Sequence, residues 1–140
     1  MPSEPTKVLV LCTGNSCRSI MAEALINHIG KGRYEACSAG SHPTGEVHPG
    51  SIATLQRHKI NPGQPQSKSW DDMTNIDFDF IITVCDRAAG EPCPTFPGQP
   101  RKLHWSIPDP AKAKGTESEI HAAFDQAFFL LQDHIQKILG

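Results

Sequence analysis

Lys7–Leu11 reads KVLVL, an unbroken run of valine and leucine after one lysine. It has no apolar–polar alternation, so the strand it predicts is buried on both faces, as in the middle of a parallel sheet. The run ends at Cys12, and Thr13, Gly14, Asn15 and Ser16 are turn formers. From Ser19 the pattern turns helical: Met21, Ala22, Leu25, Ile26 and Ile29 recur at three-and-four spacing until Gly30 and Gly32. A buried strand, a short polar loop and a helix, in that order, commit the chain to an α/β fold.

The remaining pattern repeats that alternation. Tyr34–Ser38 predicts a short strand ended by Ala39 and Gly40, and 41–50 a loop. Ser51–His58 predicts a short helix with Ile52, Leu55 and Ala53 facing inward, and Trp70–Met73 one helical turn. Phe78–Val84 (FDFIITV) predicts a third, central strand, and Lys102–Trp105 a fourth. Between them, 86–100 is rich in proline and predicts a long loop of the functional kind. After the loop 107–115, Thr116 and Glu119 have capping-box spacing, and Ile120, Phe124, Ala127, Phe128, Leu131, Ile135 and Ile138 form one apolar stripe. Strands alternating with helices imply a parallel sheet with helices on both faces, with ligands at the carboxyl ends of the strands. Cys12, Cys85 and the stretch holding Asp109 each follow a strand, so they are expected to converge at one sheet edge.

A chain of 140 residues suits one domain, expected to span 1–140. The net charge of −2 gives no basic surface for nucleic acid, and no apolar run approaches the roughly 18 to 20 residues that cross a bilayer. MPSEPTK has no signal-peptide pattern, so a soluble, cytoplasmic protein is expected, most simply a monomer. Five cysteines (Cys12, Cys17, Cys37, Cys85 and Cys93) are many for such a chain. In a reducing compartment they point to catalysis, redox chemistry or metal binding.

The loop from Cys12 to Ser19 carries the sharpest chemistry. A tight strand-to-helix turn aims backbone N–H groups inward, and the helix N-terminus adds positive potential. Thr13, Gly14, Asn15, Ser16, Cys17 and Arg18 are therefore the expected oxyanion-binding residues, Gly14 allowing close approach and Arg18 supplying a planar fork of donors. The same field favours a thiolate at Cys12, Ser19 can donate a hydrogen bond to it, and Asn15 suits an unusual backbone angle that braces the turn. The bland alternative is a buried cysteine and a solvated arginine. The lysine of a nucleotide-binding loop is absent.

LCTGNSCRS followed by MAEAL resembles the signature of the low-molecular-weight protein tyrosine phosphatase fold, and CTGNSCRS within it resembles the cysteine-dependent arsenate reductases. The resemblance continues through Ser38-Ala39-Gly40, the strand leading to Cys85, Cys93-Pro94, and His104-Trp105 before Asp109-Pro110. It implies a three-layer fold around a four-stranded parallel sheet. It also implies that Asp109 is the general acid, where the residues alone allow a turn aspartate before proline.

Phosphatase and reductase share a first step, attack by Cys12 on an anion held by Arg18. A reductase must also deliver two electrons, which requires further thiols. Cys85 is placed to attack Cys12, and Cys93 to convert a Cys12–Cys85 disulfide into Cys85–Cys93; their spacing is one residue wider than is usual in the family's reductases. Pro110 is followed by Ala111 and Cys12 by Thr13, so the mouth lacks the aromatic slot of a tyrosine phosphatase. The reading is an arsenate reductase with phosphate or sulfate as competing anions, needing no cofactor or metal. Thioredoxin is the expected electron donor, with glutaredoxin and glutathione as the alternative. A low-molecular-weight tyrosine phosphatase is the second reading and a non-catalytic oxyanion sensor the third.

Other residues have plainer expectations. Cys17 is a packing cysteine or a partner for Cys12 under oxidation, and Cys37 is buried and inert. His42, His48, His58, His121 and His134 are solvated or capping, and Trp70 and Trp105 belong to core or rim. Some of the reductases that the chain resembles hold potassium with side chains equivalent to Asn15, Glu23 and Ser38 plus an aspartate. Lys68 falls near that aspartate, so its ammonium is expected to replace the cation and brace Asn15.

Overall fold

Strand β1 (Thr6–Cys12) lies between β2 (Tyr34–Gly40) and β3 (Phe80–Thr83), with β4 (Arg101–His104) beyond β3, giving the order β2-β1-β3-β4 with every pair parallel. The structure is a computed structural model that describes residues 5–84, 98 and 100–138. The chain leaves β1 for one edge of the sheet, then crosses back to build β3 and β4 on the other side. That reversal puts a topological switch point at the carboxyl end of β1, where Cys12 sits beside Gly40.

Val8 to Leu11 are fully buried, as the unbroken apolar run requires. Val8, Val10 and Ile82 face one core with helices α1 (Arg18–Ile29), α2 (Pro49–Arg57) and α3 (Glu117–Ile138). Leu9, Leu11 and Ile81 face the other, covered among the described residues by Trp70, Met73 and Phe78 around the 3-10 turn Trp70–Met73. The three-layer, four-stranded parallel fold is thus observed.

Several boundaries shift. The β3 ladder is shorter than Phe78–Val84, although Asp79 N donates to Lys7 O and Val84 N to Leu11 O at its two ends. Helix α2 starts at Pro49, ahead of Ser51, because proline suits a first helical position and His48 caps it. Its buried face is then Ser51, Thr54 and Leu55, while Ile52 and Ala53 are half-buried. The two hydroxyls can be buried because they are bonded: Ser51 Oγ donates to His48 O at 2.6 Å and Thr54 Oγ1 to Gly50 O at 2.6 Å.

In α3 the capping box forms as read: Glu119 N donates to Thr116 Oγ1 at 3.2 Å and Thr116 N to Glu119 Oε1 at 3.3 Å. Phe124, Ala127, Phe128, Leu131 and Ile135 are buried and Ile120 packs beside them; the side chain of Ile138 lies outside the described residues. Two histidines expected on helix surfaces are aromatic partners instead. His58 stacks on Phe128 at 4.2 Å and His134 on the buried Trp105 at 5.2 Å.

Candidate active site

The loop 13–17 joins the end of β1 to the start of α1, and its carbonyls are turned outward and bonded. Thr13 O accepts from His42 N at 2.9 Å, and Gly14 O from Thr44 N at 3.0 Å and Ser67 Oγ at 3.1 Å. Ser16 O accepts from His48 N at 3.0 Å and Ser51 Oγ at 3.2 Å. Among the described residues, the amides of Gly14, Ser16, Cys17 and Arg18 have no acceptor. Outward carbonyls and unspent amides at the head of a helix make an anion-binding cradle. Gly40 permits it, since a Cβ there would stand 2.5 Å from Thr13 O and 3.0 Å from Asn15 N.

Cys12 Sγ lies at the base of the cradle. It accepts from Asn15 N at 3.2 Å and lies 3.0 Å from Ser19 Oγ. The direction of that last bond follows from the neighbouring contacts. Lys68 N donates to Asn15 Oδ1 at 2.9 Å, which fixes the amide so that Nδ2 donates to Ser19 Oγ at 2.8 Å. Ser19 has then received one donor, and its own hydrogen is free to point at Cys12 Sγ.

Asn15 adopts φ 47° and is 0% exposed. This corrects one expectation. Asn15 is no oxyanion ligand: its amide and side chain are spent on Cys12 and Ser19, and it does not line the cavity. A second correction concerns Lys68, which braces Asn15 with its backbone N–H; its Nζ lies 3.4 Å from Gln66 O. The ammonium acts instead on Glu23. Burial holds that carboxyl above the usual carboxylate range, against the pull of Lys68 and of the Ser38 hydroxyl at 3.3 Å.

The other wall comes from the segment after β4. Arg18 Nη1 donates to Ile107 O at 2.9 Å, and Nη2 lies 3.6 Å from Asp109 Oδ2, with the two side chains 14% and 24% exposed. Arg18 Nε is buried with no partner among the described residues, a donor left for a ligand. Asp109 Oδ1 accepts from Ala111 N at 3.0 Å, capping the 3-10 turn Pro110–Lys112. Its other oxygen is left to face Arg18. The turn expected of Asp109 is thus present at one oxygen, and the other lies on the Arg18 side.

A cavity of about 740 Å³ opens between the two walls, lined by Cys12, Thr13, Ser16, Arg18, Thr44 and Asp109 among others. No aromatic ring lines it among the described residues, as the sequence implied. Cys17 also lines it, but burial pushes its thiol up to about 12, so it stays protonated. Cys37 is half-buried rather than buried; desolvation and the charge of Glu23 raise its thiol and keep it inert. Cys85 and Cys93 lie outside the described residues. Among those described, no group of three or more metal-ligating side chains exists, and no helix is long and apolar enough to cross a membrane.

Sequence reasoning missed the residues that hold the cradle from outside. Thr44, Ser51 and Ser67 carry no motif. His48-Pro49 is a legible helix start, but nothing in it says that the capped turn reaches Ser16.

Residues 7–139 match the low molecular weight phosphotyrosine protein phosphatase family. The chain belongs to that family. Within the family it is similar to an arsenate reductase of Shouchella clausii (strain KSM-K16), 36% identical over 123 residues, which cover 85% of this chain and 84% of the relative. Among solved structures, the arsenate reductase from Archaeoglobus fulgidus DSM 4304 superposes with a TM-score of 0.75 at 26% identity, covering 95% of this chain and 98% of that one. A solved arsenate reductase in its phosphate-binding state gives 0.73 at 27% identity with the same coverage. The phosphatase-like family and fold expected from LCTGNSCRS are therefore shown.

Proposed function

We propose that this chain is an arsenate reductase that works through a covalent cysteine–arsenate adduct. The observation that carries the reading is the placement of Cys12 Sγ under a cradle of unspent amides, with Arg18 and Asp109 opposite and no aromatic ring among the described residues of the lining. The arsenate reductases to which the chain is similar support the choice of anion.

The chemistry runs in three steps. The Cys12 thiolate attacks the arsenic while Arg18 and the amides of Gly14, Ser16, Cys17 and Arg18 hold the other oxygens. Asp109 protonates the leaving oxygen, which departs as water. The Cys85 thiolate then attacks Cys12 Sγ, forming a Cys12–Cys85 disulfide as the sulfur–arsenic bond breaks and its electron pair leaves with arsenic as arsenite. Cys93 attacks Cys85 in turn, freeing Cys12 and leaving a Cys85–Cys93 disulfide. Two thiols are oxidised for each arsenic reduced by two electrons. We assign the recycling of that disulfide to thioredoxin, with glutaredoxin and glutathione as the alternative, in the cytoplasm where thiols stay reduced.

The test is single-turnover arsenate reduction by pre-reduced protein with no external thiol. One arsenite per chain and the loss of two free thiols are expected, with Cys85→Ser releasing no arsenite. Wild-type turnover by the Cys85 and Cys93 variants, alone and under recycling, overturns the relay. The size of the cavity favours a second reading, because about 740 Å³ leaves room for an organic group behind a phosphate. Hydrolysis of a small phosphomonoester with no arsenite formed from arsenate would establish that reading instead.

A further inference from the structure

The proposed chemistry makes no use of His48, yet this residue joins the cradle to the helix behind it. His48 N donates to Ser16 O at 3.0 Å, and Ser51 Oγ bonds both His48 O at 2.6 Å and Ser16 O at 3.2 Å. The first turn of α2 is therefore tied twice to the carbonyl of a cradle residue. The imidazole caps the same turn: its Nδ1 accepts from Gly50 N at 2.9 Å. Its ring packs against Phe124 of α3 at 5.2 Å, and Gly50 is pressed to that ring so closely that a Cβ would stand 2.6 Å from Phe124 Cζ. The turn has no slack with which to change its cap.

A ring nitrogen that accepts from an amide is unprotonated, so the ring is neutral with its proton on Nε2. A second proton would set N–H against N–H and add a positive charge at a helix N-terminus, where the dipole is already positive. Among the described residues, nothing facing the ring compensates. α2 presents the Gly50 amide and α3 the Phe124 ring, and the cradle presents the Ser16 carbonyl beside the backbone of His48. No carboxylate among the described residues is bonded to the ring; Glu46, two positions earlier, is exposed, and Arg57 is the only charged residue of α2. Of the titratable side chains that line the cavity, Cys12, Cys17, Arg18, Asp109 and Lys112, none is hydrogen-bonded to the ring.

We propose that His48 is a positioning residue for the oxyanion cradle, acting through Gly50, Ser51 and Ser16, and that the cradle loses anion affinity when the imidazole is protonated. The proposal rests on the cradle in the reading above and not on the relay. The test therefore measures anion binding alone, by titration calorimetry with sulfate, whose own charge is constant over the range used. Measurements at about pH 8 and about pH 5.5 bracket the ordinary titration of imidazole. Asparagine is a strong helix cap that does not titrate, so H48N restores the acceptor permanently. H48F keeps a ring against Phe124 and has no acceptor.

On acidification the wild type is expected to lose up to about fivefold more affinity than H48N, the worth of one helix cap. H48N should match the wild type at the higher pH, and H48F should bind weakly at both. Parallel pH profiles for wild type and H48N overturn the proposal, as does H48F binding like wild type at the higher pH. Should H48F fail to fold, the comparison of wild type with H48N decides alone. A wild type that binds no sulfate at the higher pH refutes the cradle and the proposal together. One that binds sulfate but makes no arsenite refutes only the reductase reading.

Discussion

The two walls of the cavity are built on opposite plans. The nucleophile wall is held from many sides: loop 13–17 receives hydrogen bonds from His42, Thr44, His48, Ser51, Ser67 and Lys68, and Asn15 at its centre is fully buried. The acid wall hangs on less. Among the described residues, the Asp109 side chain accepts one hydrogen bond, from Ala111 N in its own turn, and lies 3.6 Å from Arg18, with a quarter of its side chain in solvent. The difference suits the roles proposed above. A thiolate must be stabilised before any ligand arrives, so its donors are preorganised. A general acid has to approach an oxygen that leaves, and a loosely held residue can follow it.

The largest expected effect falls on the acid wall. Asp109→Asn keeps an oxygen for Ala111 N, so the turn survives while the proton source is lost. Arsenite release should fall about 10²–10⁴-fold with little change in melting temperature. A large loss of stability would show that this wall is as structural as the other.

Gly40→Ala tests the opposite wall. The added Cβ meets backbone oxygen and nitrogen of the loop, none of which can rotate away. A stability loss of about 1–3 kcal/mol is expected in urea unfolding, with activity falling alongside. Wild-type behaviour would mean that the loop is not locked. Asn15→Ala removes the brace but leaves the fold's outline. It strands the Ser19 hydroxyl and the Lys68 amide, so about 1–3 kcal/mol should again be lost. Iodoacetamide should leave Cys17, its thiol pushed up to about 12, unlabelled in wild type and variant alike.

The smallest effect belongs to an ion pair that serves only the fold. Burial by itself would raise the Asp125 carboxyl, but hydrogen bonds from His58 at 3.0 Å and Arg57 at 2.7 Å outweigh it and hold the group below its ordinary range. A depressed carboxyl stabilises the fold above the ordinary carboxylate range, and that contribution disappears as pH falls through its folded value. Asp125→Asn should therefore lower urea stability slightly near neutrality, by less than about 1 kcal/mol after solvent screening, and not at all at strongly acid pH. A change in arsenite release would tie this pair to the site.

The fold was legible where one physical requirement covers a whole element. An unbroken KVLVL has one stable location, and a capping box followed by a single stripe has one stable form. Legibility failed where burial depends on a partner far along the chain. Ser51 and Thr54 read as polar, yet they are buried because backbone carbonyls of the turn before them accept their hydrogens. His58 and His134 read as surface residues, yet α3 and the end of β4 present rings for them to stack on. Asn15 read as a ligand because it sits among ligands. Its side chain turned out to be claimed by Lys68, fifty-three positions away.

The sequence by itself determined the alternating α/β order and the strand, turn and helix that bring Cys12 and Arg18 together. Those properties are local: Val8–Ala24 contains the thiol, the loop amides and the guanidinium in one continuous stretch. Only the tertiary structure decided which way the Ser19 proton points, which oxygen of Asp109 faces Arg18, and that His48 stands behind Ser16. Each of these is the direction of a hydrogen bond or ion pair. Direction is set by the last partner to arrive, here Lys68, Ala111 and Phe124, brought in by the sheet and its crossovers.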